Sequence, residues 1–182
     1  MENWREEIAE IRAIMKETAR KQEEYEAKRQ KEVAEINKMI GGMANSNGLV
    51  AEESFYNALE SSKTLGKIHF DHVGRNWKGE IVTDGKIELE GEYDIVMVNK
   101  NAICIVETKY KVKKEDVAKL ADKMLDAFKT LYPRYADYKY YLAVGGLSFE
   151  KGAESQAKEL GIAILKVKGE KVEIIDSNLK VY

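Results

Sequence analysis

The sequence is short of the residues that staple or punctuate a chain. Its single cysteine, Cys104, excludes a disulfide framework, and its place inside an apolar run reads as a buried thiol. That suits a reducing, cytoplasmic setting. The single proline, Pro133, leaves most elements free to run long. Two histidines, His69 and His72, supply no Ser-His-Asp or Cys-His set. They fall in one predicted strand, on opposite faces and with no cysteine partner, which speaks against zinc. An excess of positive charge is missing as well. Lys and Arg number 30 against 32 Asp and Glu, a net charge of −2. No global positive field advertises nucleic acid, so any such contact needs a local patch. No apolar run approaches the roughly 20 residues of a membrane helix. The opening MENWREEIAEIR is too charged for a signal peptide. Gly145-Gly146 is too short for a phosphate loop, and no Walker or dinucleotide fingerprint occurs.

What is present suits one compact domain with an extension. The chain has 182 residues, 44% hydrophobic and 34% charged. Residues 1–40 hold no glycine or proline and are dense in Glu, Lys, Arg, Gln and Ala, which predicts a long helix. Steps of four and three run through Trp4, Ile8, Ile11, Met15, Thr18, Gln22, Tyr25, Arg29, Glu32, Ile36 and Met39. The seam is apolar at both ends and polar in its middle. It reads either as a coiled coil that makes a homo-oligomer, a dimer first, or as a solvated helix whose apolar ends pack on the domain. Residues 41–48, with Gly41-Gly42 and Asn45-Ser46-Asn47-Gly48, form the predicted linker. Residues 49–182 form the domain.

Within the domain, 49–62 reads as a helix with Ala51, Phe55, Ala58 and Leu59 on one face. Lys67–Val73 reads as a strand and Gly74–Gly79 as a turn region. Strands follow at Ile81-Val82 and Ile87–Leu89. Ile95–Val98 and Ala102–Val106 form a hairpin across Asn99-Lys100-Asn101. Lys113–Leu131 is a helix ended by Pro133. Strand Tyr138–Val144, helix Phe149–Leu160 and strands Ile162–Val167 and Val172–Ile175 complete the chain. Late alternation of strands and helices predicts parallel pairing there, with helices covering the sheet.

The hairpin carries the chemistry. With Lys100-Asn101 as its loop, Asn99 pairs with Ala102, and Asp94 falls opposite Glu107. Lys109 shares a strand face with Glu107. Two carboxylates so close need neutralising, by a lysine or by a hard divalent cation. The set suits phosphodiester hydrolysis: a metal to polarise the phosphoryl oxygen and acidify water, a lysine to offset developing charge. Glu52 lies on or beside the inward face of the 49–62 helix and Glu53 points outward, so Glu52 is the better candidate for a fourth group.

Asp94, twelve intervening residues, and Glu107-Thr108-Lys109, after a helix bearing Glu52, resemble the PD-(D/E)XK nuclease superfamily over residues 48–167. Tyr93 stands where the motif carries proline. The resemblance implies an α/β fold with a restriction-endonuclease-like αβββαβ core, its mixed sheet flanked by helices. It implies Asp94 and Glu107 as ligands of Mg2+ or Mn2+, Glu52 as the helix acid at the metal, and Lys109 as the catalytic lysine. The function implied is a metal-dependent endonuclease acting on DNA. The alternative is a nuclease-fold binding or scaffolding module that works through its coiled coil.

Blander readings stand beside these. Glu107 and Lys109 also read as a same-face ion pair at an exposed strand end. Glu52 also reads as a solvated acid near a helix N-terminus. Lys111, Lys113 and Lys114 suit either a phosphate patch or a solvated helix start. Arg75, Trp77 and Lys78 suit either contact with a nucleic-acid strand or a β-turn with a packed tryptophan. Gln156 and Tyr110 either reach the site or serve the surface and the packing.

Overall fold

The computed structural model describes residues 15–26, 28–29, 49–169 and 171–182. The chain divides into two compact units, Met1–Ala44 and Asn45–Tyr182. In the first unit, residues 15–26 are helical and exposed, with i,i+4 ion pairs Lys21–Glu17 at 3.0 Å and Arg20–Glu24 at 3.7 Å. Met15 and Tyr25, two members of the predicted seam, are exposed. The seam positions Trp4, Ile8, Ile11, Glu32, Ile36 and Met39, and the predicted linker 41–48, lie outside the described residues.

The second unit is a six-stranded mixed sheet between helices. Helix α1 covers 49–62. A small hairpin follows, β1 (Thr64–Leu65) with β2 (Ile68–His69). The sheet strands are β3 (His72–Thr83), β4 (Lys86–Val98), β5 (Ala102–Val112), β6 (Lys139–Phe149), β7 (Ala163–Lys168) and β8 (Lys171–Ile175), in that spatial order. Pairing is antiparallel from β3 to β5, parallel for β5–β6 and β6–β7, and antiparallel for β7–β8. Between β5 and β6 run α2 (Lys114–Lys119), a π-helical turn (Leu120–Met124) and α3 (Leu125–Leu131). Between β6 and β7 runs α4 (Ala153–Leu160). Among the described residues no helix is long and apolar enough to cross a membrane.

The sequence dictates this layering. Strand β5 is apolar without interruption from Ala102 to Val106, the pattern of a strand buried on both faces. Its alternate residues divide between two cores. Cys104 and Val106 join Ala51, Phe55 and Leu59 of α1. Ile103 and Ile105 join Val117, Leu120 and Phe128 of the later helices. Gly145 of β6 admits Phe55: a Cβ there would lie 2.8 Å from the Phe55 Cδ2 atom.

Several expected boundaries are corrected. The predicted strand Lys67–Val73 is broken at Phe70-Asp71, which places His69 in β2 and His72 in β3 rather than in one strand. Gly74–Gly79 is not a turn but the interior of β3. Its glycines make room for rings: a Cβ on Gly79 would meet the Tyr132 hydroxyl at 3.2 Å, and one on Gly74 would collide with Trp77. The strands expected at Ile81-Val82 and Ile87–Leu89 are parts of β3 and β4, joined at Asp84-Gly85, both with positive φ. The helix expected over Lys113–Leu131 is present but interrupted by the π-turn. The helix expected from Phe149 begins at Ala153, because β6 runs on to Phe149.

Candidate active site

The site grows from a parting of strands. β4 and β5 pair from Val98–Ile103 to Ile95–Val106, the register that a Lys100-Asn101 loop requires, with the Asn99 amide donating to the Ala102 carbonyl at 3.0 Å. Beyond Val106, β5 keeps β6 as its neighbour through Val112, while β4 continues with β3 alone. A wedge opens between β4 and β5, and Asp94 and Glu107 stand at its mouth.

β3 and β4 also change face at this level. Four residues along a strand should return a side chain to the same face. Yet Val73 packs in the α1 core, whereas Trp77 packs on the opposite side with Phe128 and Tyr132. On β4, Ile95 belongs to the α1 core and Val96 and Tyr93 to the other. Asn76, with φ +55, and the opposed Asp94 both fall outside the ladder at the crossover. Tyr93, where the motif has proline, pins β4 from below. Its ring meets Phe128 edge-on at 4.9 Å, and its hydroxyl donates to the Met124 carbonyl at 3.3 Å.

Each acidic group is held differently. Asp94 Oδ2 accepts from the Thr108 amide at 2.7 Å and from Thr108 Oγ1 at 2.8 Å. Alternation from the Asn99–Ala102 pair would have given that amide the Tyr93 carbonyl. The carboxylate thus takes the place of the lost ladder bond. Glu107 is buried, and its Oε1 accepts from Lys109 Nζ at 2.5 Å. Burial first, then the Asp94 charge, push the Glu107 carboxyl above the usual range, although Lys109 and Lys119 oppose this. Burial disfavours the Lys109 ammonium, but the Glu107 bond and the charges of Glu107 and Asp94 hold its pKa above the ordinary value. Glu52 is half-buried on α1, and Glu53 is exposed. Burial, then the Asp94 charge, raise the Glu52 carboxyl, with Arg75 pulling it down and Glu92 adding to the rise.

Asp94, Glu107 and Lys109 therefore share one field, and Glu52 on α1 feels the charge of the same Asp94. Among the described residues no three His, Cys, Asp or Glu side chains are gathered closely enough to hold a metal. The Asp94–Thr108 tie turns one carboxylate oxygen away from such a cluster. None of the described hydrogen bonds uses Asp94 Oδ1 or Glu107 Oε2, which leaves one hard oxygen donor on each.

On the α2 side, Glu107, Lys119 and Met124 line a cleft of about 710 Å3 whose far wall is Lys78, Glu80, Glu90 and Glu92 of the β3–β4 ribbon. Lys78 pairs with Glu92 at 2.9 Å. Trp77 is half-buried in the aromatic cluster and Tyr110 is exposed. Lys113 is paired with Glu115 at 3.1 Å, and Lys111 and Lys114 are exposed. Gln156 is half-buried on α4. Sequence reasoning missed Thr108 and Lys119. Thr108 had a signal, a hydroxyl between the two motif charges. Lys119 had none, because its approach to Glu107 depends on where α2 docks.

No protein-family model matches the chain, and no curated protein matches it. Among solved structures, a repair endonuclease from Pyrococcus abyssi is similar with a TM-score of 0.41 and 19% identity, over 64% of this chain and 46% of that one. The EndoMS–dsDNA complex is similar with a TM-score of 0.37 and 12% identity, over 65% of this chain and 44% of that one. The overlap spans less than half of either protein.

Proposed function

We propose that the Asn45–Tyr182 unit is a metal-dependent nuclease that hydrolyses phosphodiester bonds in DNA. The observation that carries this reading is the meeting of Asp94, Glu107 and Lys109 at the wedge between β4 and β5. The Asp94 charge adds to the cost of ionising the buried Glu107, and Lys109 offsets only part of it. Asp94 Oδ1 and Glu107 Oε2 are the donors that would hold a Mg2+ or Mn2+, with Glu52 approaching from α1. When bound, such a cation supplies positive charge against the scissile phosphate and makes water a better acid.

The chain's own residues do the remaining work. Lys109 spends one of its three N–H groups on Glu107 and keeps two for the attacking water and a phosphate oxygen. Its raised pKa keeps it charged at neutral pH, so it offsets negative charge as the phosphorus centre becomes crowded. Thr108 fixes the rotation of the Asp94 carboxylate and so decides which oxygen is offered. In this reading residues 1–40 form a coiled coil that pairs two copies and sets two sites at a fixed spacing, as a double-strand cut requires.

One observation favours a second reading, a binding module whose site is not used. The cleft beside Glu107 carries four glutamates against Lys78 and Lys119, a poor wall for a polyanion. Purified protein incubated with circular and linear DNA and with RNA, in Mg2+, Mn2+ or chelator, separates the two. The nuclease reading expects metal-dependent cleavage of DNA. Intact substrate under every condition favours the binding module.

A further inference from the structure

The α1 side of the site holds one more group with unused chemistry. Arg75 is the ladder partner of Ile95, which places it on the sheet face under α1. Its guanidinium lies over the Tyr56 ring, Cζ 4.9 Å from the centroid. Tyr56 is half-buried on α1, one turn beyond Glu52. A guanidinium over an aromatic face is held by the negative face of the ring. The ring restrains the side chain, and none of the described hydrogen bonds or ion pairs uses its donors.

Two neighbouring cations are committed elsewhere. Lys109 is bound to Glu107, and Lys78 to Glu92. Arg75 is exposed, and among the described residues no carboxylate is paired with it. It nonetheless lies in the field of Glu52, where it opposes the charges of Asp94 and Glu92. A polyanion crossing the end of the sheet on this side meets the charges of Asp94 and Glu52. Arg75 is the group there that can draw it in.

We propose that Arg75, held on Tyr56, binds a backbone phosphate of the DNA strand next to the scissile one, on the α1 side of the wedge. This rests on the nuclease reading for the position of the scissile phosphate. The planar fork suits two phosphate oxygens at once. Together Lys109 on one side of Asp94 and Arg75 on the other fix the strand across the carboxylates. Arg75 is in this account a residue of substrate binding, and Tyr56 positions it.

The test is binding of a short labelled DNA duplex by fluorescence anisotropy over a range of salt, in Ca2+, for the wild type, Arg75→Ala and Arg75→Lys. Arg75→Ala is expected to weaken binding roughly tenfold and to reduce the salt slope by about one. Arg75→Lys is expected to fall between, keeping the charge but losing the fork. Cleavage in Mg2+ is followed in parallel, where the loss should appear mainly in KM. Equal affinity and equal slope for wild type and Arg75→Ala overturn the inference, as does a wild type that binds no DNA. If Arg75→Ala does not fold, unchanged affinity in Arg75→Lys overturns it. Arg75-dependent binding without any cleavage refutes the nuclease reading and leaves the phosphate contact standing. Cleavage with Arg75-independent binding does the reverse.

Discussion

Thr108 and Asp94 are joined twice across the parting of β4 and β5: the amide and the hydroxyl of Thr108 both donate to Asp94 Oδ2, at 2.7 and 2.8 Å. The middle residue of the Glu107-Thr108-Lys109 triplet thereby orients the acid of the neighbouring strand. Removing the hydroxyl alone tests this. Thr108→Val keeps the shape and the amide bond but loses one charge-assisted bond, at a cost of about 1–3 kcal/mol. Urea unfolding should show that loss, and cleavage at saturating Mg2+ should fall roughly tenfold, a change of 1.4 kcal/mol in barrier. Thr108→Ser should recover both. Failure of serine to recover activity would mean that the threonine methyl, not its hydroxyl, is what matters.

Glu107 is a stability liability kept in place by the site. Its carboxyl binds a proton more tightly when folded than when unfolded, because it is buried and faces Asp94. The unfolded state therefore holds fewer protons between the ordinary value of 4.5 and the higher folded value. Stability falls as pH rises through that window, and the penalty is fully present above it. Glu107→Gln should raise stability at neutral pH by about 1 kcal/mol while abolishing cleavage. Its advantage over the wild type should shrink as pH falls through the window. Lys109 acts in the opposite sense: its contribution is present below the ordinary lysine value and is lost at higher alkaline pH. A thermal scan across pH reads both. A less stable Glu107→Gln at neutral pH would show that the bond to Lys109 outweighs the cost of burial.

Gly145 sets how closely α1 approaches the sheet. A methyl group there would press on Phe55, which is fully buried. Gly145→Ala should cost about 1–3 kcal/mol by overpacking. It should also lower cleavage, because the displaced helix carries Glu52 and Tyr56. Loss of stability with full activity would remove Glu52 from the chemistry.

The hairpin at the centre of the site was legible because its signals agree. Asn99 both closes the loop, accepting from the Asn101 and Ala102 amides, and marks the end of two apolar runs. That register puts Asp94 and Glu107 one step beyond the last pair, Ile95–Val106. The same rule failed for Gly74–Gly79, where glycine and asparagine suggested a turn. Those glycines make room for Trp77 and Tyr132, and the rings that hold Trp77 in place, Phe128 and Tyr132, come from a distant part of the chain. Asn76 marks a crossover rather than a reversal, a distinction that local sequence does not carry. The Asp84-Gly85 hairpin did have a local signal, an Asp-Gly pair between strand-like segments. The Thr108 bond was out of reach for another reason: a regular ladder would have used that amide, and only the parting of the strands frees it.

The measurement that bears most directly on the account is Mg2+-dependent cleavage of DNA by the wild type beside Lys109→Ala. Lys109 is partly exposed, with 42% of its side-chain surface accessible, so its loss should leave the fold intact by circular dichroism. The wild type should cut, chelator should stop it, and the variant should bind DNA but cut at least about 100-fold more slowly. A folded variant that cuts as fast as the wild type would contradict the account.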